Sequence, residues 1–137
     1  MKVNLFAAAA LVLALSAGSA QAQFYRGAHP NAATVSQSGS GNSVAVVQNG
    51  GGLSTSVAQN GDGNSATVSQ RGRNSQVAVT QNGDNNALCL LQNGNGLNAS
   101  ITQNGGEQGV YIQNRNGIRL LSNRTPRRCS TPLRIFR

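Results

Sequence analysis

Glutamine recurs every 11 residues through most of this chain, and seven successive glutamines keep the spacing without a slip. A glycine follows each of them two positions later. A strict internal repeat constrains the fold more than local propensity does, because each unit must bury its apolar side chains against its neighbours. The repeated glutamines are Gln37, Gln48, Gln59, Gln70, Gln81, Gln92 and Gln103, and Asn114 stands at the eighth expected position.

The 11-residue unit is half of a 22-residue unit. An amide side chain follows every second glutamine by five positions, and these residues are Asn42, Asn64, Asn86 and Gln108. The intervening units carry Leu53, Ser75 and Leu97 at the same point. Because alternate units differ, we expect each 22-residue turn to contain two non-equivalent strands.

Polar and apolar residues alternate inside each unit, as they do in a strand with one buried face. Val44 and Val46, for example, share a face with Asn42 and Gln48. Asn-Gly follows the repeated glutamine five times, which suits tight strand reversals. A helix would be destabilised by about 1 kcal/mol for each glycine, and a disordered tract would not keep a strict phase. The sequence predicts an all-β fold: a β-solenoid, or cross-β stack, of 22-residue strand–turn–strand repeats in about four to five layers.

Stacking such turns would bring the amides of successive units into columns. Amides about 4.8 Å apart along the stack can hydrogen-bond to one another, because each has a donor and an acceptor. We expect three columns: Asn42, Asn64, Asn86 and Gln108; Gln48, Gln70, Gln92 and Asn114; and Gln37, Gln59, Gln81 and Gln103. No capping helix is evident at either end, and open strand edges pair readily with other chains. The sequence therefore predicts that the stack polymerises through these amide columns.

The chain divides into four parts by composition. Lys2, the apolar run over residues 5–15 and the motif Ala20-Gln21-Ala22 are typical of a secretory signal peptide over residues 1–22. A short N-terminal segment covers residues 23–30, the repeat covers 31–114, and a basic, irregular tail covers 115–137. Cleavage after Ala22 would leave 115 of the 137 residues, which is enough for one small domain.

The formal net charge of +8 is concentrated near the C-terminus, where six of the eleven basic residues occupy the last 19 positions. Arg119, Arg124, Arg127 and Arg128 are candidates for attachment to an anionic surface, although such tails are often only solvated. The body of the chain lacks aromatic residues near basic ones, so no nucleic-acid partner is expected.

The chain has two cysteines, Cys89 and Cys129. In an oxidising compartment they could form one disulfide, and the sequence equally allows two separate thiols.

Several classes of function are excluded by composition. One histidine and three acidic residues leave neither a catalytic triad nor an acid–base pair to build, so we expect no enzyme. Two cysteines and one histidine do not make a metal site, and no cofactor motif is present. A calcium-binding β-roll would need Asp in most turns, and only Asp62 and Asp84 fit that requirement.

The segment Ser75-x5-Gln81-x-Gly83-x2-Asn86-x5-Gln92 resembles the repeat of the curlin family over its full length. The units beginning at Gln37 and at Gln59 are similar in all but the first serine, and Leu53 and Leu97 replace that serine in other units. The resemblance implies export through the periplasm to the bacterial surface and assembly there into amyloid fibres of the adhesion and biofilm matrix. It also implies as partners further copies of the chain or a second curlin subunit, together with outer-membrane secretion and anchoring proteins.

The curlin family contains a major fibre subunit and a minor subunit that nucleates it. The irregular basic end of this chain, with Arg119 at a position that holds Leu or Ser in other units, is similar to the nucleating type. The alternatives are the major fibre subunit or a monomeric secreted β-solenoid that binds a surface such as polysaccharide or ice. An ice-binding surface would need regularly matched outward threonines, which the repeat does not supply.

Overall fold

The computed structural model describes residues 9–15, 18–24 and 29–123. Within these ranges every regular element is a strand, which confirms the predicted all-β stack and its 22-residue repeat. The strands are β1 (Ala9–Leu15), β2 (Gly18–Phe24), β3 (Asn31–Ser38), β4 (Asn42–Gly51), β5 (Ser54–Asn60), β6 (Ser65–Arg73), β7 (Gln76–Asn82), β8 (Ala87–Asn93), β9 (Asn98–Asn104), β10 (Gln108–Asn114) and β11 (Gly117–Ser122).

The strands form two sheets that the chain visits alternately. Sheet A has the order β1-β4-β6-β8-β10-β11, and sheet B has the order β2-β3-β5-β7-β9. From β3 to β10 all neighbours within a sheet are parallel. In the pairs β3–β5, β4–β6, β5–β7, β6–β8 and β7–β9, each paired residue faces the residue 22 positions later, as in Gln37 with Gln59. The offset between β8 and β10 is 21. One turn of the solenoid therefore adds one strand to each sheet.

The core is a thin slab of small and branched side chains between the two sheets. Its buried members come from alternate positions of every strand from β3 to β9: Ala33, Val35, Val44, Val46, Val57, Ala66, Val68, Val77, Val79, Leu88, Leu90, Ala99 and Ile101. Thr55 and Leu53 are buried on the same side of sheet B. The period-two alternation predicted this face correctly, because a strand places successive side chains on opposite sides.

Glycine lies where the turns of successive layers touch. A Cβ atom on Gly50 or Gly72 would fall on the carbonyl oxygen of the glycine one turn later, and their φ angles are +140° and +132°. An L-residue rarely adopts such angles. Glycine at this point in the repeat therefore sets how closely the layers can stack.

Both ends of the stack carry antiparallel strands, a feature the repeat itself did not indicate. β1 and β2 pair with β4 and β3, so part of the predicted signal peptide lies along the N-terminal edges of the two sheets. At the other end β10 and β11 form a hairpin across Asn114 and Gly117. The predicted irregular tail thus begins with a strand, and its remainder beyond Asn123 lies outside the described residues.

Candidate functional site

The candidate site is the pair of glutamine columns that runs through the stack. In sheet B, Nε2 of each glutamine donates to Oε1 of the glutamine one turn later. The successive distances along Gln37, Gln59, Gln81 and Gln103 are 2.6, 2.7 and 2.7 Å. All four side chains are at most 4% exposed. The column is therefore a continuous, buried hydrogen-bond ladder with a single direction.

Sheet A contains a second ladder with the same direction. Nε2 donates to the next Oε1 over 2.9, 3.0 and 2.7 Å along Gln48, Gln70, Gln92 and Gln113. In the first step Thr55 also takes part, since its Oγ1 donates to Gln70 Oε1 over 2.6 Å and accepts from Gln48 Nε2 over 3.2 Å. The two ladders lie on opposite sides of the slab and share one polarity.

After Gln37, each ladder glutamine also donates from Nε2 to a backbone carbonyl of the other sheet. Gln59 Nε2 donates to the carbonyl of Ser43 over 3.1 Å, and Gln70 Nε2 donates to that of Ser54 over 3.2 Å. The same contact to a carbonyl 16 residues earlier recurs at Gln48, Gln81, Gln92 and Gln103. Glutamate could not replace these residues without stacking like charges and losing both donors.

The asparagine column works differently from the expected amide ladder. Oδ1 of Asn42 accepts from the backbone N–H of Asn64, and Oδ1 of Asn64 accepts from that of Asn86, each over 3.0 Å. Only the second step adds an amide–amide bond, from Asn86 Nδ2 to Asn64 Oδ1 over 3.0 Å. Asn64 Nδ2 is buried without a hydrogen-bond partner. These asparagines mainly fasten the turn backbone of one layer to the next.

The last turn is one residue shorter than the repeat predicts, so the assignment of Gln108 and Asn114 to the columns is wrong. Gln113 occupies the place below Gln92, and Glu107 donates its backbone N–H to Asn86 Oδ1 over 2.9 Å. Gln108 and Asn114 are exposed. The cause is the turn after Asn104, which has Gly105 and Gly106 before Glu107, whereas the equivalent turn after Asn82 has three residues before Asn86.

The N-terminal end of the sheet B ladder has an acceptor without a donor. Gln37 is 4% exposed, and its buried Oε1 has no hydrogen-bond partner. The strand β2 places Gly18 opposite Gln37, and glycine has no amide to donate. An unpaired buried carbonyl costs about 1–3 kcal/mol. This end of the ladder is therefore incomplete.

The C-terminal end differs between the two sheets. In sheet A the register of β11 places Ile118 opposite Gln113, so an apolar residue ends the ladder. In sheet B, β9 has β7 as its neighbour on one side and no strand of the described ranges on the other. Gln103 is the last glutamine of that column, and its Nε2 donates to the carbonyl of Ala87 over 3.2 Å.

One turn carboxylate has a shifted pKa. The backbone N–H of Ser40 donates to Asp62 Oδ1 over 2.7 Å, and the Ser40 hydroxyl donates over 3.1 Å. These two bonds favour the charged form and hold the pKa of Asp62 below its ordinary value of 3.8. Asp62 and Asp84 are exposed, as expected for turn residues.

The predicted attachment and disulfide residues fall partly outside the described ranges. Arg119 lies exposed on β11 opposite Ile112, whereas Arg124, Arg127, Arg128 and Cys129 are not described. Cys89 is 2% exposed on the outer face of β8 and is not a free thiol. Its pairing with Cys129 stays a prediction.

Residues 9–15, 18–24 and 29–123 contain no helix long and apolar enough to cross a membrane. The same part of the chain contains no group of three or more His, Cys, Asp or Glu side chains placed to hold a metal ion.

Comparison with protein-family models gives one match. Residues 52–83 match the family described as the curlin associated repeat. This stretch of the chain is therefore similar to the curlin repeat. The matched stretch contains Gln59 and Gln81, which form one step of the sheet B ladder, and Gln70, an inner member of the sheet A ladder. No curated protein and no solved structure matches the chain.

The curlin-type repeat and the solenoid fold are typical of a structural protein whose layers stack on one another. The residues that define the repeat are those that join one layer to the next. They are the ladder glutamines, the asparagines that fasten the turns, and the glycines at which the turns touch. What is repeated in the sequence is therefore the interface between layers.

Proposed function

We propose that this protein is a secreted, non-enzymatic subunit of a curli-type amyloid fibre at the bacterial surface, and that it is the minor, nucleating subunit. The observation that carries the proposal is the difference between the ends of the stack. The strand β11 occupies the place in sheet A where the next layer would begin.

A second copy cannot stack on the C-terminal end with both sheets. The strands β3 and β4 are joined by the short turn between Ser38 and Asn42, so both belong to one layer. If β3 of an incoming copy paired with β9, its β4 would have to occupy the position of β11. A chain closed in this way does not repeat itself end to end, as a major fibre subunit must.

The N-terminal end has the opposite character. Once residues 1–22 are removed, β3 and β4 have free edges in the same layer, and each edge can pair with a parallel strand of another chain. Gln37 Oε1 then accepts from a glutamine of an added chain, which extends the ladder and satisfies the unpaired carbonyl. The end that can be a template is thus the one that export would uncover.

The proposal includes extracellular assembly, adhesion and a role in the biofilm matrix, and the support for these roles is the similarity to the curlin repeat. Its partners are a second curlin subunit and the outer-membrane proteins that export and anchor such fibres. The signal peptide over residues 1–22 is part of the same proposal.

The experiment is a seeding assay. The substrate is a designed chain of complete 22-residue repeats copied from residues 59–80, and fibre growth is followed with an amyloid dye. Substoichiometric mature protein, beginning at Gln23, is expected to abolish the lag phase. Gln37→Leu is expected to restore much of the lag, whereas Gln103→Leu, the matched change at the other end, leaves seeding intact.

Three outcomes would contradict this proposal. An unchanged lag with wild-type protein would remove the nucleating role. Rapid fibre growth of the mature chain alone, with no effect of deleting residues 115–137, would favour the major fibre subunit. A persistent monomer at high concentration, without either activity, would favour a surface-binding solenoid.

A further inference from the structure

The C-terminal end of the stack is half a layer deep, and this leaves room for one strand. Sheet A has β11 beyond β10, but sheet B ends at β9. The edge of β9 over Asn98–Asn104 therefore lies beside a position that is empty among the described residues. A strand in that position would lie across the slab from β11.

The side of β11 that faces this position is apolar. In an antiparallel pair, residues directly opposite each other project on the same face of the sheet. Ile118 and Leu120 lie opposite Gln113 and Tyr111, which project into the slab. Yet Ile118 is 45% exposed and Leu120 is 52% exposed, whereas the equivalent core positions of earlier layers are buried. Their exposure arises because sheet B has no strand opposite β11.

The vacancy also contains an unused donor. In the two preceding layers of sheet B, Nε2 of Gln59 and of Gln81 makes two bonds, one to a backbone carbonyl and one to the next glutamine. Gln103 makes the first of these bonds, to Ala87, and has no glutamine in the following layer. A side-chain carbonyl arriving with the new strand would complete the pattern.

We propose that this vacancy, bounded by β9, Ile118, Leu120 and Gln103, is a docking site for a single extended segment of another protein. The segment adds to β9 as a parallel strand of about seven residues, as in other cases of β-strand addition. It needs small apolar side chains at the two inward positions and Gln or Asn opposite Gln103. This places a heterologous partner at the end opposite to the proposed seeding end.

Two other occupants fit less well. A second copy would bring β4 with β3 and meet β11, as described above. The segment after Asn123 has Pro126 and Pro132, and proline cannot donate a ladder hydrogen bond. The five residues between these prolines are fewer than the seven of β9. A partner strand is the occupant that the geometry favours.

The test uses a fluorescent peptide with the sequence of residues 31–38, which is β3 of this chain and has the required alternation of Ala33, Val35 and Gln37. Its binding to the mature protein is measured by anisotropy. Leu120→Lys is expected to weaken binding at least tenfold, because it puts a charge on the floor of the vacancy. Thr102→Lys adds the same charge to the outer face of β9 and is expected to leave binding within twofold.

A peptide with leucine in place of Gln37 should bind less tightly than the parent peptide. Equal binding to the Leu120→Lys and Thr102→Lys proteins, or no binding to the wild type, would overturn the proposal. So would a loss of self-association in Leu120→Lys, measured by sedimentation, because it would identify a second copy as the occupant. The seeding assay serves as a separate readout, since Leu120→Lys is expected to seed normally.

Discussion

Replacing Gln81 by leucine should destabilise the solenoid more than the same change at Gln37, although both residues belong to one ladder. Gln81 accepts from Gln59 Nε2 over 2.7 Å and donates to Gln103 Oε1 over 2.7 Å and to the Ser65 carbonyl over 3.0 Å. Without it, Gln103 Oε1 and one N–H of Gln59 lose their partners inside the slab. Each unpaired buried group costs about 1–3 kcal/mol.

Gln37→Leu has a different balance. It removes the donor to Gln59 Oε1, at 2.6 Å, but it also removes Gln37 Oε1, which is buried and already unpaired. The number of unpaired groups therefore does not change. Gln81→Leu adds two, so its free energy of unfolding should be lower by about 2–6 kcal/mol than that of Gln37→Leu. This is a large part of the 5–15 kcal/mol that stabilises a typical domain.

The measurement is guanidinium unfolding of the full 137-residue chain, followed by circular dichroism, for wild type and both variants. Circular dichroism before unfolding checks that each variant has the wild-type strand content. Equal stabilities of the two variants, within about 0.5 kcal/mol, would refute the ladder as a source of stability. The glutamines would then act only as spacers between layers.

Three further predictions concern the turns and the cysteines. Gly96→Ala should lower the free energy of unfolding by ~1–2 kcal/mol, because Gly96 has a positive φ. Gly72→Ala should lower it further, because Gly72 also has a positive φ and its Cβ would in addition meet the next layer. Equal unfolding midpoints of the two variants would contradict this. The folded-state pKa of Asp62 is lowered, so its contribution to stability is present above pH 3.8 and is lost as the pH falls through the folded pKa. Asp62→Asn should therefore flatten the acid side of a plot of unfolding free energy against pH. An unchanged plot would count against the two Ser40 hydrogen bonds. On the outer face of sheet A, Cys89, Leu91 and Ile112 are 2%, 6% and 9% exposed. We therefore expect the C-terminal segment to cover them, and peptide mapping without reduction to find Cys89 linked to Cys129. Two free thiols would exclude this disulfide.

The sequence was sufficient for the repeat, the buried face and the two glutamine columns, because these follow from strict periodicity. It failed where the period changes. The turn at Gly105 and Gly106 drops one residue, and counting in steps of 11 then led to Asn114 in place of Gln113. In the shifted register a Cβ at position 109 would meet the ring of Tyr111, so the glycine leaves room for the tyrosine in the core.

The antiparallel strands at the ends could not be read from the repeat. The residues of β11 pair with β10 and not with a strand one turn earlier, and this pairing depends on the two-residue turn between Asn114 and Gly117. In that turn the backbone N–H of Asn116 donates to Asn114 Oδ1 over 2.8 Å. A local turn, rather than the period, decides that the chain reverses and closes one sheet only.

The polarity of the ladders explains why the ends matter regardless of the number of layers. Each glutamine donates to the next, so a column of any length leaves one acceptor at its N-terminal end and one donor at its C-terminal end. Additional repeats would move these two groups apart without satisfying either. In sheet A the chain covers the donor end with Ile118, which offers no acceptor to Gln113, whereas in sheet B no strand of the described ranges lies beyond Gln103. Gln37 needs an amide donor and Gln103 needs an acceptor, and a glutamine of an added strand supplies either one. The two ends differ because β11 occupies the next position in sheet A at the C-terminal end only, and this difference is the basis of the two proposals above.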